Sequence, residues 1–142
     1  MNQFYISEYY NLQLGDRLIR EKGVFSKHHG IYIGIYNDVP LVAENQIGKG
    51  VQYTSLYDFL LGNFNNLIRI VKFQGTEELR KNIIPRINQL IGSKYDLLLF
   101  NCEHFAELIQ NGKPNSKQVG NTLVGLGILS LLGLALGSNN DS

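Results

Sequence analysis

The stretch His28 to Tyr36 (HHGIYIGIY) constrains the fold more than any other part of the chain. Its β-branched and aromatic residues alternate with period two, the pattern of a strand. One side carries His29, Ile31, Ile33 and Ile35, and the other His28, Gly30, Tyr32 and Gly34. Asn37-Asp38-Val39-Pro40 follows at once and reads as a turn, and Leu41 to Asn45 as the returning strand. A chain built on this hairpin is committed to an antiparallel sheet.

The remaining elements extend the same scheme. Arg17 to Arg20 is a short strand ended by Lys22-Gly23. Gly48 to Gly50 makes another turn, with strands at Val51 to Thr54 and Leu67 to Phe73. Ser55 to Leu61 has the look of one or two helical turns. The opening Met1 to Tyr10 reads as a strand or an irregular lead-in; it has no basic, apolar or small-residue features of a secretion signal. Thr76 is a plausible N-cap, with Glu77 and Glu78 suited to a helix's first turn. Ile83, Ile87, Leu90 and Ile91 then form one apolar stripe, which Pro85 should kink or restart and Gly92 should end. A last helix begins after Asn101, with Cys102, Phe105, Ala106 and Ile109 on one face and Gly112 closing it. Strands first and helices after make an α+β fold, an antiparallel sheet packed against helices.

A length of 142 residues is one domain's worth of chain. The 44% hydrophobic and 18% charged shares exclude a disordered or collagen-like chain. Thirteen basic residues against twelve acidic leave +1, so no general attraction to nucleic acid is expected. One cysteine, Cys102, excludes an internal disulfide and a cysteine-based zinc site, and nothing calls for a cofactor or a metal. The C-terminal part differs in character. Residues 113–121 (KPNSKQVGN) read as a polar linker behind a body of residues 1–112. Thr122 to Gly137 carries no charge and as a helix spans about 24 Å, a little short of a bilayer's hydrocarbon core. Its small residues, among them Gly133 and Gly137, suit a membrane helix. It is expected to be a membrane-associating segment rather than a buried core helix. Lys113 and Lys117 just before it point to a cytosolic side, hence a cytoplasmic, membrane-associated protein.

A lone cysteine on the apolar face of a helix is ordinarily a small buried hydrophobe. Position argues otherwise for Cys102. Asn101 is an N-cap residue type, which puts Cys102 at the first helical position. There unpaired amides and the positive dipole end favour thiolate, the nucleophile of acyl transfer. His104 lies about 200° around the same helix from Cys102 and cannot serve as its base, so it reads as a local hydrogen-bonding residue. Of the two remaining histidines, His28 is the better base, because the glycines on its side of the strand leave room for a neighbouring element. Glu44, on the returning strand, reads either as an acceptor for the His28 ring that fixes its tautomer or as a solvated strand glutamate, and spacing alone does not choose between them.

Three blocks together resemble the lecithin retinol acyltransferase family: His28-His29-Gly30-Ile31-Tyr32-Ile33-Gly34, Asn101-Cys102-Glu103-His104-Phe105, and the opening Gly15-Asp16-Arg17-Leu18-Ile19. Gly50-Val51 leading to Ser55-Leu56-Tyr57-Asp58-Phe59, and Gly92-Ser93-Lys94-Tyr95-Asp96, fit as well. The resemblance covers about Leu14 to Gly112. It implies a circularly permuted fold of the NlpC-type, papain-like cysteine hydrolases, with Cys102 as nucleophile and His28 as general base. The family commonly has a second histidine on the next strand where this chain has Glu44. The hydrophobic C-terminus is similar to the family's membrane-embedding tail. The implied activity is a thiol acyltransferase or phospholipase that takes an acyl group from a glycerophospholipid at a membrane surface. A cysteine peptidase or amidase of the same superfamily, and a non-catalytic membrane-bound module, are the competing readings.

Overall fold

The computed structural model describes residues 2–112. The expected linker 113–121 and hydrophobic segment 122–137 lie outside them. The described chain begins with α1 (Gln3–Tyr9), followed by strands β1 (Arg17–Lys22), β2 (Ser26–Tyr36), β3 (Val39–Gln46) and β4 (Gly50–Ser55). Helix α2 (Leu56–Phe59), β5 (Leu67–Val71), α3 (Glu77–Lys81), α4 (Ile83–Leu90) and α5 (Cys102–Asn111) complete it. The five strands form one antiparallel sheet in the order β4-β3-β2-β1-β5, with the predicted hairpin at its centre. The α+β class read from the sequence is the observed one.

Alternation along the strands assigns each face of the sheet its own core. Ile31, Ile33, Ala43 and Val51 pack under α4 and α5 with Ile83, Ile87, Phe105 and Ile109. Leu18, Tyr32 and Val42 point the other way and pack with Ile6, Leu56, Phe59 and Leu60 of α1 and α2. Each fully buried Val, Leu, Ile or Phe among them stabilises the fold by about 1.5–3 kcal/mol.

Local chemistry explains where the elements begin and end. Asn37 and Asp38, at φ +49° and +63°, make a two-residue turn whose twist matches the strands it joins. The strand therefore resumes at Val39, within the four residues read as turn. Ser55 and Thr76 cap α2 and α3 through their hydroxyls. The helix begun at Thr76 restarts ahead of Pro85: α3 and α4 meet at Asn82, and Ile83, Ile87 and Leu90 of the stripe all fall on α4. Fully buried Arg86 secures the break by donating to the carbonyls of Leu79 (2.7 Å) and Asn82 (3.1 Å). Ile91, placed on the apolar stripe by spacing, is exposed because α4 ends at Leu90.

The N-terminus corrects the sequence reading. Gln3–Tyr9 is a helix, neither a strand nor an irregular lead-in. Asn2 caps it through its side chain, and Ile6 and Ser7 are buried, Ser7 Oγ lying 2.6 Å from the Tyr32 hydroxyl. Burial and a cap override the strand preference of its tyrosines and isoleucine. Among the described residues no helix is long and apolar enough to cross a membrane.

Candidate active site

The N-terminus of α5 is fixed before its chemistry begins. The Asn101 side chain accepts from the His104 amide (3.0 Å), and His104 Nδ1 accepts from the Asn101 amide (3.2 Å). This reciprocal capping box occupies His104, as its position relative to Cys102 suggests. Asn45 on β3 donates from Nδ2 to the Phe100 carbonyl (2.9 Å), which pins the chain one residue before the cap. Cys102 is thereby held as the first residue of α5.

The sheet opens where that cysteine arrives. Pairing between β2 and β3 runs from Tyr36↔Val39 to Gly30↔Glu44 and goes no further, so among the described residues positions 26–29 of β2 pair with β1 alone. The free edge of β2 meets the sulfur. The Cys102 thiol donates to the Lys27 carbonyl, with Sγ 3.8 Å from the oxygen, and the His29 amide donates to the sulfur.

His28 stands beside this edge and is 2% exposed. Its Nε2 is 2.8 Å from Glu44 Oε1, and Glu44 Oε2 accepts from Gln52 Nε2 at 2.7 Å. Glu44 and Gln52 are cross-strand partners on β3 and β4. An ionised carboxylate only accepts, so the bond assigns the proton of a neutral His28 to Nε2 and leaves the Nδ1 lone pair free. Nδ1 is buried with no hydrogen-bond partner among the described residues, and Cys102 is close enough to the ring to favour its charged form. The Phe59 ring covers the imidazole at 5.5 Å between centroids. Gly30 makes that packing possible, since a Cβ there would come within 2.7 Å of the Phe59 ring and 2.6 Å of Val42.

The electrostatics follow from this arrangement. Burial pushes the Cys102 thiol up, but the His28 bond and the His29 amide outweigh it and hold the thiol below its ordinary range. Burial pulls the His28 imidazole down, and its bonds to Cys102 and Glu44 reverse this and raise it. Burial raises the Glu44 carboxyl, while the bonds from His28 and Gln52 bring it below the usual value. Each shift favours the charged form of its group, so the pairing supports a thiolate beside an imidazolium.

The adjacent histidine has a different environment. His29 points to the α5 side of the sheet, where its Nδ1 accepts from Arg17 Nε at 3.0 Å; Arg17 Nη1 also pairs with Glu107 at 2.8 Å. Burial, with the Arg17 charge second, brings His29 down to about 4. It is therefore neutral near pH 7, with its proton on Nε2. The unfolded chain takes up a proton near pH 6.5 that the folded chain refuses until about pH 4. His29's contribution to stability is thus complete above about 6.5 and lost as pH falls toward 4. Chemical denaturation across that window should show a steady loss of stability in the natural chain and a flatter dependence in His29→Gln; parallel curves would refute it.

A cavity of about 510 Å³ opens beside the cysteine, with Cys102, His29, Ser26, Tyr95 and Leu97 among its walls. It leaves the sulfur reachable while His28 stays sealed behind it. The structure joins His28 to Glu44 by a hydrogen bond and sets Cys102 near the same imidazole. Sequence reasoning missed Gln52 on Glu44 and the His29–Arg17–Glu107 chain. The first was discoverable as the cross-strand neighbour of Glu44. The second joins residues 90 positions apart and left no local signal. Among the described residues, no group of three or more His, Cys, Asp or Glu side chains is arranged to hold a metal ion.

No curated protein matches the chain. The family model for lecithin retinol acyltransferase matches residues 10–115, a span that contains the whole sheet, the His28–Glu44 pair and the cysteine helix. The chain with this site belongs to the lecithin retinol acyltransferase family, an enzymatic family of acyltransferase and phospholipase type.

Proposed function

We propose that this protein is a thiol-dependent acyltransferase or phospholipase that forms an acyl-cysteine from a glycerophospholipid. The observation that carries the reading is the buried Glu44–His28 pair at 2.8 Å, with Cys102 close enough to the same imidazole for each to shift the other's ionisation. His28 Nδ1 takes the thiol proton and the sulfur attacks the ester carbonyl. Negative charge develops on the carbonyl oxygen, where the backbone amide of Cys102, unpaired at the helix start, is a natural donor. The carbon–oxygen ester bond breaks, and the departing lysophospholipid alkoxide takes its proton from His28. Water, an amine or an alcohol then attacks the thioester with His28 as base, and the cysteine is regenerated. The cycle needs no cofactor.

The lipid substrate favours a site held at a membrane. A free enzyme would have to extract acyl chains at about 0.8 kcal/mol per buried CH₂. We assign that anchoring to the uncharged segment 122–137, with Lys113 and Lys117 before it favouring the cytoplasmic face of a membrane. The test is to incubate the full chain with phosphatidylcholine vesicles, quench in acid and map the peptides by mass spectrometry. One acyl chain in thioester linkage on the Cys102 peptide is the expected result. Sustained lipid turnover with rapid quenching and no acyl group on that peptide would overturn the reading.

A further inference from the structure

The mouth of the Cys102 cavity is framed by two exposed apolar loops that the proposed chemistry does not use. The β1–β2 turn carries Val24 and Phe25, 86% and 100% exposed. The loop before α5 carries Leu97 and Leu98, 68% and 82% exposed. Phe25 and Leu97 both line the cavity, so the two loops flank one opening. Ile68 on β5, also exposed, adds a third apolar point on its rim.

These side chains are held outward by their own backbone. The Asp96 and Phe100 main chains exchange two hydrogen bonds of 2.9 Å, closing a tight loop between them. The Asp96 carboxylate accepts from the amides of Leu98 and Leu99 at 3.0 and 2.9 Å. In the opposite loop Gly23 takes φ +70° and the Ser26 hydroxyl donates to the Lys22 carbonyl, which leaves Val24 and Phe25 at the tip. A fully exposed phenylalanine on a closed turn gains nothing from water. Grouped with leucines around a site, it marks a surface that is covered when the protein works.

The charge around the opening selects the occupant. Lys22, Lys27 and Arg69 line the cavity against one acidic residue, Glu103. Apolar tips surrounded by basic side chains fit an interface whose outer layer is anionic and whose interior is hydrocarbon. The chain's own segment 122–137 is uncharged and would leave those cations without a counterpart.

We propose that the Val24–Phe25 and Leu97–Leu98 tips insert into an anionic bilayer, with Lys22, Lys27 and Arg69 on lipid phosphates, so that the Cys102 cavity opens directly onto the membrane. The inference rests on the lipid-substrate reading for its purpose, but its test does not depend on catalysis. Val24 and Leu98 stand outside the cavity wall, so Val24→Ser/Leu98→Ser alters the tips while leaving the reactive groups in place. Flotation of the full-length natural chain, this variant and Cys102→Ala is measured on phosphatidylcholine vesicles with and without phosphatidylserine. The natural chain and Cys102→Ala should bind the phosphatidylserine vesicles equally. Segment 122–137 contributes alike to every chain, so lipid is titrated to half-maximal flotation, where the double variant should need about tenfold or more of the phosphatidylserine vesicles, from the loss of two inserted apolar side chains. Addition of salt should weaken the natural chain's binding. Equal binding by the double variant and the natural chain would overturn the proposal and leave the attachment to another part of the chain. Equal binding of the natural chain to both vesicle types would overturn the anionic specificity. Failure of the acyl-enzyme reading shows separately, as absence of the Cys102 adduct in a chain that still floats. Alkylation of Cys102 at the natural rate verifies that the double variant is folded.

Discussion

Cys102→Ala is expected to lower phospholipid turnover by about a thousandfold or more, to the background rate of the vesicles. The substitution removes the only thiol in the chain, so no other cysteine can take over. It also disturbs little else. The side chain is small, and its contacts on the β2 edge are a 3.8 Å bond to the Lys27 carbonyl and the His29 amide. Loss of the bond to that amide costs about 1 kcal/mol at most, because solvent in the cavity can reach the edge. Thermal unfolding of Cys102→Ala should therefore stay close to that of the natural chain while turnover disappears. Serine is the sharper comparison, since it keeps a hydroxyl in the same place. Its much higher pKa leaves His28 unable to supply an alkoxide as it supplies a thiolate, so Cys102→Ser should also be nearly inactive. Turnover within tenfold of the natural rate in either folded variant would refute nucleophilic catalysis at Cys102.

Much of this site was legible because it is built from regular elements. Period-two alternation alone separates His28 from His29, and the structure gives them separate roles: one on Glu44, the other on Arg17. Asn101 is recognisable as a cap from residue type, and the cap decides where Cys102 sits. Glu44 was harder to place, because its alignment depends on the turn. The irregularity between Tyr32 and Gly34 shifts the register so that Glu44 pairs with Gly30, leaving His28 two residues away on the same face. A carboxylate reaches a histidine across that diagonal, and the 2.8 Å bond results. What stayed hidden depends on tertiary packing. The helix at Gln3–Tyr9 exists because Ile6 finds a pocket against Leu18 and Tyr32, which no local pattern announces. Arg17 looks like any strand arginine until Glu107, a full domain's length away in sequence, is folded against it.

His28→Gln should reduce acyl-enzyme formation by about 10² to 10⁴-fold, the usual range for loss of a positioned general base. Glutamine retains a side-chain amide that can donate to Glu44, so the carboxylate is not left unpaired in the interior. It cannot take the thiol proton. The consequence is readable without substrate, because Cys102 is the only thiol and its alkylation rate against pH reports its ionisation directly. In the natural chain His28 is the first of the groups that hold the thiol low against burial. Removing it leaves burial with less opposition, so the alkylation midpoint should move to higher pH in His28→Gln. Glu44→Gln tests the layer behind. A neutral amide no longer favours the imidazolium, so His28 should titrate lower and the thiolate should lose part of its partner. The alkylation midpoint should then move in the same direction as in His28→Gln, but less far, with a smaller loss of rate. A merely structural Glu44 would lower stability without moving that midpoint. The ordering natural chain, Glu44→Gln, His28→Gln in thiol midpoint is thus the signature of a carboxylate acting through a histidine on a sulfur, and an unchanged midpoint in His28→Gln would refute the pairing.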